Sequence, residues 1–322
     1  MSGSDERRVL VLGGTGTIGR AVVNELHQQN TRVLCLVRTA SDHGLPEAVD
    51  TRLADLSDPA SIRTALGQDR IDAVISCIAS RTGAPEDAWA VDHRANLNAL
   101  TIARDAGIRH LILLSAICVQ KPLLAFQHAK LAFEAELQSS DLTWSIVRPT
   151  AYFKSLSGQL DRLRQGKPFL LFGDGERTAC KPISDGDLAR YLVRCLHDPE
   201  MQNRILPIGG PGPALTPLQQ GQALFHALGK EPRFRHVPVA MMDAIIGGLS
   251  LAGVFSKAAT AKAELARIGR YYATESMLVW DAEAGRYDAD ATPSFGSETL
   301  SDFYARLVRG DVTIDRGDHA VF

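Results

Sequence analysis

A lysine near the middle of the chain lies in a window with catalytic potential, Phe126-Gln127-His128-Ala129-Lys130. A tyrosine four positions before a lysine would share its helix face, and such a pair can move a proton to or from a carbonyl oxygen. Phe126 occupies the tyrosine position here, and its ring cannot transfer a proton. We therefore predict that Lys130 is catalytic and that ordinary alcohol–ketone chemistry is disfavoured. The alternative for Lys130 is an exposed lysine whose alkyl chain lies along the surface.

A glycine-rich turn near the N-terminus follows an apolar segment and precedes a helical pattern. Its glycines have the spacing G-x-x-G-x-x-G, and a turn in this context brings backbone N–H groups and a helix N-terminus close to a pyrophosphate. A simple tight turn is the alternative. We predict that this turn binds a dinucleotide through Gly13, Thr15, Gly16, Thr17, Ile18 and Gly19.

The end of the second apolar segment indicates which dinucleotide is bound. An enzyme that uses NAD usually has an acidic residue here to hold the ribose 2′-OH, whereas this segment ends with Arg38. The planar guanidinium suits a 2′-phosphate, although an exposed arginine without a ligand is the alternative. We therefore predict NADPH as the cofactor, with Asp55 and Leu56 beside the adenine. Ser115 and Lys130 complete the predicted cofactor contacts.

The missing tyrosine also bears on the type of reaction. Adding hydride to a conjugated C=C bond spreads the negative charge through the π-system, so that no localised alkoxide forms. A less specialised donor, such as lysine, a hydroxyl group or water, can then protonate carbon. The window therefore favours reduction of a C=C bond, or a protein that has lost catalysis.

The elements that must position these residues alternate between apolar strands and helices. Near-continuous apolar segments are typical of parallel strands covered on both faces, and their alternation with helices predicts an α/β fold with a doubly wound, Rossmann-like parallel sheet. The predicted strands are Arg7–Leu12, Arg32–Arg38, Thr51–Ala54, Ala73–Ala79, His110–Ala116 and Thr143–Pro149. The predicted helices are Thr17–Gln29, Pro59–Leu66, Glu86–Ala106 and Pro122–Ser139.

We divide the chain into two parts and a tail. Residues 1–150 are predicted to form the NADPH-binding domain, with its sheet completed by parts of 180–210. Residues 151–310 are predicted to form a smaller substrate-binding lobe with the C-terminal helices, and residues 311–322 a flexible tail.

Composition argues against several other classes of protein. Thirty-five basic and 37 acidic residues give a net charge of −2, which is not typical of a nucleic-acid-binding protein. The five cysteines include no C-x-x-C pair, so we expect no disulfide, metal site or iron–sulfur cluster. The apolar run Val237–Phe255 contains Pro238 and Asp243, which favours a pocket-lining or interfacial helix over a membrane-spanning one.

Three further segments carry a resemblance to a known family: Lys121–Leu137, Gly173–Ala189 and Ile268–Phe303. With the glycine spacing, Arg38 and the F-x-x-x-K window, they resemble the NADPH-dependent divinyl chlorophyllide a 8-vinyl-reductases. These are atypical short-chain dehydrogenase/reductases of the NmrA-like and isoflavone-reductase-like branch. The resemblance covers nearly the whole chain, and Ile268–Phe303 is distinctive because generic members of the superfamily lack it.

The resemblance implies reduction of the 8-vinyl group of a Mg-tetrapyrrole to ethyl, in chlorophyll or bacteriochlorophyll biosynthesis. It implies that Tyr152 lies near the nicotinamide, as a candidate proton donor or as a core residue. A flat macrocycle needs a wide apolar cleft, for which we predict contacts from Phe126, Phe153, Met241 and Met242. Plant members carry a transit peptide, which we do not find, so we expect a bacterial source and a cytoplasmic location, with peripheral contact to a membrane.

Two readings from other functional classes remain open. One is an NmrA-like regulator that binds NADP without catalysis, and the other is an assembly factor that binds a tetrapyrrole or a quinone without turnover. Lys130 and the distinctive C-terminal segment favour an enzyme over the regulator. The sequence leaves the oligomeric state open.

Overall fold

The computed structural model describes residues 7–41, 43–254 and 256–313. Strands are numbered β1–β11 and α-helices α1–α12 along the chain. A seven-stranded parallel sheet forms the centre of the fold, in the order β3-β2-β1-β4-β5-β6-β8. Its strands are Arg8–Leu12 (β1), Arg32–Val37 (β2), Asp50–Leu53 (β3), Ala73–Ser76 (β4), His110–Leu114 (β5), Thr143–Pro149 (β6) and Arg204–Ile208 (β8). The reversal of order at β1 and β4 makes this a doubly wound, Rossmann-like sheet.

Helices cover both faces of the sheet because the inner strands are apolar on both faces. Val9, Val11 and Ile112 point to one face and pack with the first and eighth helices, while Leu10, Val74 and Leu111 point to the other. The helices that follow or flank these strands are Thr17–Gln28 (α1), Pro59–Leu66 (α2), Pro85–Ala88 (α3), Asn96–Asp105 (α4), Ala125–Gln138 (α5) and Asp185–Arg194 (α8).

The predicted helix Glu86–Ala106 is in fact three segments. Residues Trp89–Ala95 form a π-helix between α3 and α4. A π-helix has more residues per turn than an α-helix, and here it turns two polar side chains inward. Asn96 accepts a hydrogen bond from the Ser76 hydroxyl at 2.6 Å, and Asp92 is 1% exposed. A regular 3.6-residue pattern does not predict this arrangement.

The helix predicted from Pro122 begins three residues later, at Ala125. The Gln127 side-chain oxygen accepts hydrogen bonds from the backbone N–H groups of Leu123 and Leu124, at 2.7 and 2.9 Å. These two groups are therefore satisfied before the helix begins, and the helix N-terminus is fixed beside the sheet.

A second core lies beyond β6 and includes Phe153, Phe225 and Tyr304. Its elements are Phe153–Leu156 (α6), Leu160–Arg164 (α7), Phe169–Phe172 (β7), Pro217–Ala227 (α9), Phe234–Val237 (β9) and Leu300–Arg309 (α12). A helical hairpin and a two-stranded sheet lie between β9 and α12: Val239–Gly253 (α10), Lys257–Thr274 (α11), Val279–Asp281 (β10) and Arg286–Asp288 (β11). Within the described residues, no helix has the length and apolarity needed to cross a membrane.

The chain from Thr150 to the end of α12 thus returns once to the central sheet, through α8 and β8, which fall within the predicted 180–210 span. The boundary placed near residue 150 stays a prediction. Of the tail predicted over 311–322, residues 314–322 lie outside the described residues, as does Phe255 of the apolar run.

Candidate active site

The glycine turn lies between β1 and α1 and is packed too closely for larger residues. Gly13 has φ +74°, and a Cβ there would lie 2.9 Å from the carbonyl carbon of Cys77. A Cβ on Gly19 would lie 2.1 Å from the Gly13 carbonyl oxygen. Gly16 precedes α1, and no side chain caps the helix. The N–H groups at this helix N-terminus are therefore open to an anion, and the cradle fits a dinucleotide pyrophosphate.

The remaining residues of the turn divide between solvent and core. Thr15 and Thr17 are exposed, whereas the Ile18 side chain is 6% exposed and packs beneath the turn. The Thr15 carbonyl accepts a hydrogen bond from Arg20 at 3.2 Å. Thr15 and Thr17 can thus offer their side chains to a ligand, and Ile18 only its backbone.

Arg38 directly follows β2 and is exposed. Within the described part of the chain, its guanidinium has no hydrogen-bond or ion-pair partner. Asp55 follows the neighbouring strand β3, and its pKa is lowered by hydrogen bonds from Ser57 and then by the charge of Arg38. The Leu56 carbonyl accepts a hydrogen bond from Asn98 at 3.0 Å. The structure therefore places Arg38, Asp55 and Leu56 just beyond the carboxyl ends of the neighbouring strands β2 and β3, where the guanidinium can contact a phosphate.

Lys130 is buried rather than exposed at the surface. Its side chain on α5 forms an ion pair with Asp92 of the π-helix, with 3.0 Å between Nζ and Oδ1. The two residues are 8% and 1% exposed. The Asp92 oxygens also lie 3.4 Å from the backbone N–H donor of Ser80. The interpretation of Lys130 as an exposed lysine is therefore wrong, and Asp92 is a functional candidate that the sequence analysis missed.

Ser115 lies directly after β5 and is 3% exposed. Its hydroxyl donates a hydrogen bond to Glu134, whose carboxylate also forms an ion pair with Arg148. The hydroxyl is thus part of a buried network that joins β5, α5 and β6. A role in cofactor binding stays a prediction.

Four titratable side chains form a connected group near Lys130. Cys77 and Cys118 interact with the charge of Lys130, and Tyr152 and Tyr272 interact with these thiols. Burial is the main cause that raises the pKa of Tyr152, with smaller effects from Cys77, Asp185 and Cys118, and burial raises the pKa of Cys77 to about 12. The Tyr272 hydroxyl lies 3.9 Å from Cys118 Sγ. The pKa of each group is raised, so all four are neutral at neutral pH and none is a base.

The two neighbouring tyrosines of α11 have different environments. The Tyr271 side chain is 3% exposed and donates hydrogen bonds to the carbonyls of Cys118 and Lys121, at 2.9 and 3.1 Å. Tyr272 is 36% exposed. Tyr271 therefore fixes α11 to the loop before α5, and Tyr272 is left as the tyrosine that a substrate can reach.

The four predicted substrate contacts lie in different places. Phe126 is half-buried beside Tyr271 and Ile268, near Lys130 on the same helix. Phe153 is 2% exposed and packs against Phe303 with 5.3 Å between ring centroids, which are the contacts of a core residue. On α10, Met242 is buried and Met241 is 48% exposed. Only Phe126 and Met241 therefore have surface available to a ligand.

All five cysteines are free thiols, and the described residues include no cluster of His, Cys, Asp and Glu that could hold a metal ion. The site consists instead of a phosphate cradle, an exposed arginine, a buried Lys–Asp pair and a set of neutral thiols and phenols. This combination suits hydride transfer from a bound dinucleotide.

Comparison with known proteins shows which family this chain is similar to. A family model described as NAD(P)H-binding matches residues 13–199. The chain is 47% identical to the chloroplastic divinyl chlorophyllide a 8-vinyl-reductase of Zea mays, over 99% of this chain and 84% of that protein. It is 46% identical to the Arabidopsis thaliana reductase of the same name, over 94% and 76% of the two chains.

The chain belongs to the divinyl chlorophyllide a 8-vinyl-reductase family. The resemblance inferred from the sequence is thereby confirmed, as is the NAD(P)H-binding fold. A solved structure of the NADPH-dependent quinone oxidoreductase QOR2 of Escherichia coli, complexed with NADPH, has the same fold, with a TM-score of 0.68 and 17% identity. It covers 93% of this chain and 99% of its own. The family assignment makes this chain an oxidoreductase.

Proposed function

We propose that this chain reduces the 8-vinyl group of a 3,8-divinyl chlorophyllide, or the related protochlorophyllide, to an ethyl group with NADPH as reductant. The observation that carries the proposal is the extent of the match to the plant reductases, which covers 99% of the chain. A match limited to the NAD(P)H-binding part of the chain would indicate the cofactor but not the reaction, because one fold hosts many reactions. The match continues through the second lobe and α11.

The residues that replace the usual tyrosine–lysine pair suit this reaction. Phe126 cannot protonate an oxygen, but vinyl reduction needs no alkoxide to be protonated. Bound NADPH would supply a hydride, and the extra charge would spread into the conjugated macrocycle. One C=C π-bond is then replaced by two C–H bonds, one formed from the hydride and one from a proton.

Lys130 and the neutral groups near it provide the electrostatics for this step. The positive charge of Lys130, held by Asp92, favours a substrate that is gaining negative charge. Tyr152 and Tyr272 both carry a phenolic proton at neutral pH, since the pKa of each is raised. A raised pKa makes a phenol a weaker acid, so the proton would move only to a carbon that has gained negative charge from the hydride, and Tyr152 stays our first candidate.

The exposed apolar side chains around this site suit a large flat substrate. Leu123, which precedes α5, is 67% exposed, and Tyr272 and Trp89 are 36% and 40% exposed. Such exposed groups on the π-helix, on α11 and just before α5 could contact an apolar ligand. A magnesium chlorin has the required apolar surface and conjugation.

Incubation with the pigment tests the proposal. Purified protein with NADPH and 3,8-divinyl chlorophyllide a should give the 3-vinyl, 8-ethyl product, with a shift of the Soret band to shorter wavelength and equal molar oxidation of NADPH. A protein that binds NADPH and the pigment without conversion would instead support a regulator or an assembly factor.

A cytoplasmic location with peripheral membrane contact is a separate part of the proposal. Within α10, Met242 alone is buried, while Ile245 and Leu251 are 49% and 73% exposed. An apolar helix face of this kind binds at a bilayer interface when it lies in the plane of the membrane. Flotation with phosphatidylglycerol vesicles should carry the protein upward, and Leu251→Glu should reduce that binding. Concentration-dependent dimerisation without vesicle binding would assign this face to a second copy of the chain.

A further inference from the structure

Lys154 of α6 is a cation beside the glycine turn that the sequence pattern did not single out. Its Nζ donates a hydrogen bond to Thr17 Oγ1 at 2.9 Å. Thr17 is the first residue of α1, so the ammonium lies at the helix end where negative charge is favoured. A lysine ammonium has three hydrogen-bond donors, and Thr17 is its one side-chain partner within the described ranges. Two donors therefore remain for a ligand.

The backbone that carries Lys154 is held firmly from the second lobe. The preceding residue, Phe153, is buried in the lobe core, and its N–H donates to the carbonyl of Ile183 at 3.3 Å. Ile183 in turn donates to the carbonyl of Ala151 at 2.9 Å. The lysine thus reaches the turn from a backbone position that hydrogen bonds hold within the second lobe.

A nearby carboxyl does not neutralise this lysine. Asp185, at the start of α8, has a buried Oδ1 without a hydrogen-bond partner. Burial raises the pKa of Asp185, and the charge of Lys154 acts in the opposite direction. Within the described part of the chain, however, Lys154 forms no ion pair. Among the described residues, therefore, no carboxylate lies within ion-pair distance of its ammonium.

We propose that Lys154 binds the pyrophosphate of the dinucleotide, opposite the N-terminus of α1 and next to Thr17. A phosphate oxygen at this position would receive backbone N–H donors from one side and the ammonium from the other. The cofactor site then has two cations with separate tasks: Arg38 for the 2′-phosphate and Lys154 for the pyrophosphate. The assignment rests on dinucleotide binding and not on the identity of the pigment.

Calorimetric titration without pigment separates the two tasks. Lys154→Ala should weaken the binding of NADPH and of NADH by the same factor, because both cofactors contain the pyrophosphate. The expected factor is about ten- to hundredfold, the cost of a lost charged hydrogen bond. Adenosine 2′-monophosphate, which lacks the pyrophosphate, should bind the variant and the wild type equally well. That equality also shows that the variant is folded.

Two matched variants complete the test. Lys154→Arg keeps the charge and should retain most of the affinity for NADPH, and Lys167→Ala, which removes an exposed lysine elsewhere in the same lobe, should bind NADPH as the wild type does. The assignment is overturned if Lys154→Ala weakens the binding of NADPH but not of NADH, or if it also weakens the binding of adenosine 2′-monophosphate. It is likewise overturned if the variant binds all three ligands as the wild type does. Loss of vinyl reduction with unchanged dinucleotide binding would count against this role of Lys154 and leave the proposed function standing.

Discussion

Replacement of Lys130 should affect both stability and turnover, because its partner is buried. Lys130→Met leaves the Asp92 carboxylate, 1% exposed, with the distant Ser80 N–H at 3.4 Å as its remaining hydrogen-bond donor among the described residues. Removing one member of a buried ion pair costs about 3–5 kcal/mol, since the remaining charge is desolvated and unpaired. For a chain of 322 residues this corresponds to a decrease in Tm of roughly 4–7 °C.

A double variant separates the structural role of the pair from the chemical one. Lys130→Met combined with Asp92→Asn removes both charges, so most of the lost stability should return. Turnover should not return, because the cation is still missing, and kcat/KM should stay lower by about a hundredfold or more.

The assay is a double-mutant cycle on Lys130→Met, Asp92→Asn and their combination. Urea unfolding gives the free energy of unfolding of each variant, and NADPH oxidation with divinyl chlorophyllide gives kcat/KM. A double variant that is stable and fully active would refute a chemical role for Lys130. Additive losses of stability would refute the coupling that the 3.0 Å contact implies.

Three other predictions follow from named contacts. Arg38→Ala should weaken the binding of NADPH by roughly ten- to hundredfold in a fluorescence titration and leave the affinity for NADH almost unchanged, because only NADPH carries the 2′-phosphate. Equal losses of affinity for the two cofactors would contradict the assignment. Gly19→Ala should abolish NADPH binding, since its Cβ would lie 2.1 Å from the Gly13 carbonyl oxygen, whereas Gly247→Ala, whose Cβ would meet no atom within 4 Å, should bind NADPH as the wild type does in the same titration. Burial, followed by the charge of Arg7, lowers the pKa of His110 to about 4. Between pH 6.5 and 4 the unfolded chain therefore takes up a proton that the folded chain does not, and the free energy of unfolding should fall as the pH is lowered through this range. Urea unfolding at several pH values should show a smaller fall for His110→Gln.

The sequence predicted the fold well where apolar periodicity and glycine spacing determine it. The helix Pro59–Leu66 and the strand Thr143–Pro149 have the predicted bounds, and the glycine turn lies between β1 and α1 as expected. These features depend on local patterns, so a single sequence is enough to locate them.

The parts that were missed depend on contacts between distant segments. The π-helix turns Asp92 toward Lys130, but the same residues also fit a regular amphipathic helix. Lys154 reaches Thr17 across 137 positions of sequence, and no motif marks that contact. Ser115 directly follows a strand, yet the Glu134 that binds its hydroxyl lies on another element. Tertiary packing decided each of these three positions.

Transfer of a labelled hydride tests the central claim most directly. NADPH carrying deuterium at the transferable C4 position would be incubated with the wild-type protein and 3,8-divinyl chlorophyllide a, and the pigment analysed by mass spectrometry and proton NMR. We expect one deuterium per product molecule, located in the new ethyl group at position 8. An 8-ethyl product without deuterium, or unreacted pigment in the presence of bound NADPH, would contradict direct reduction of the vinyl group by this chain.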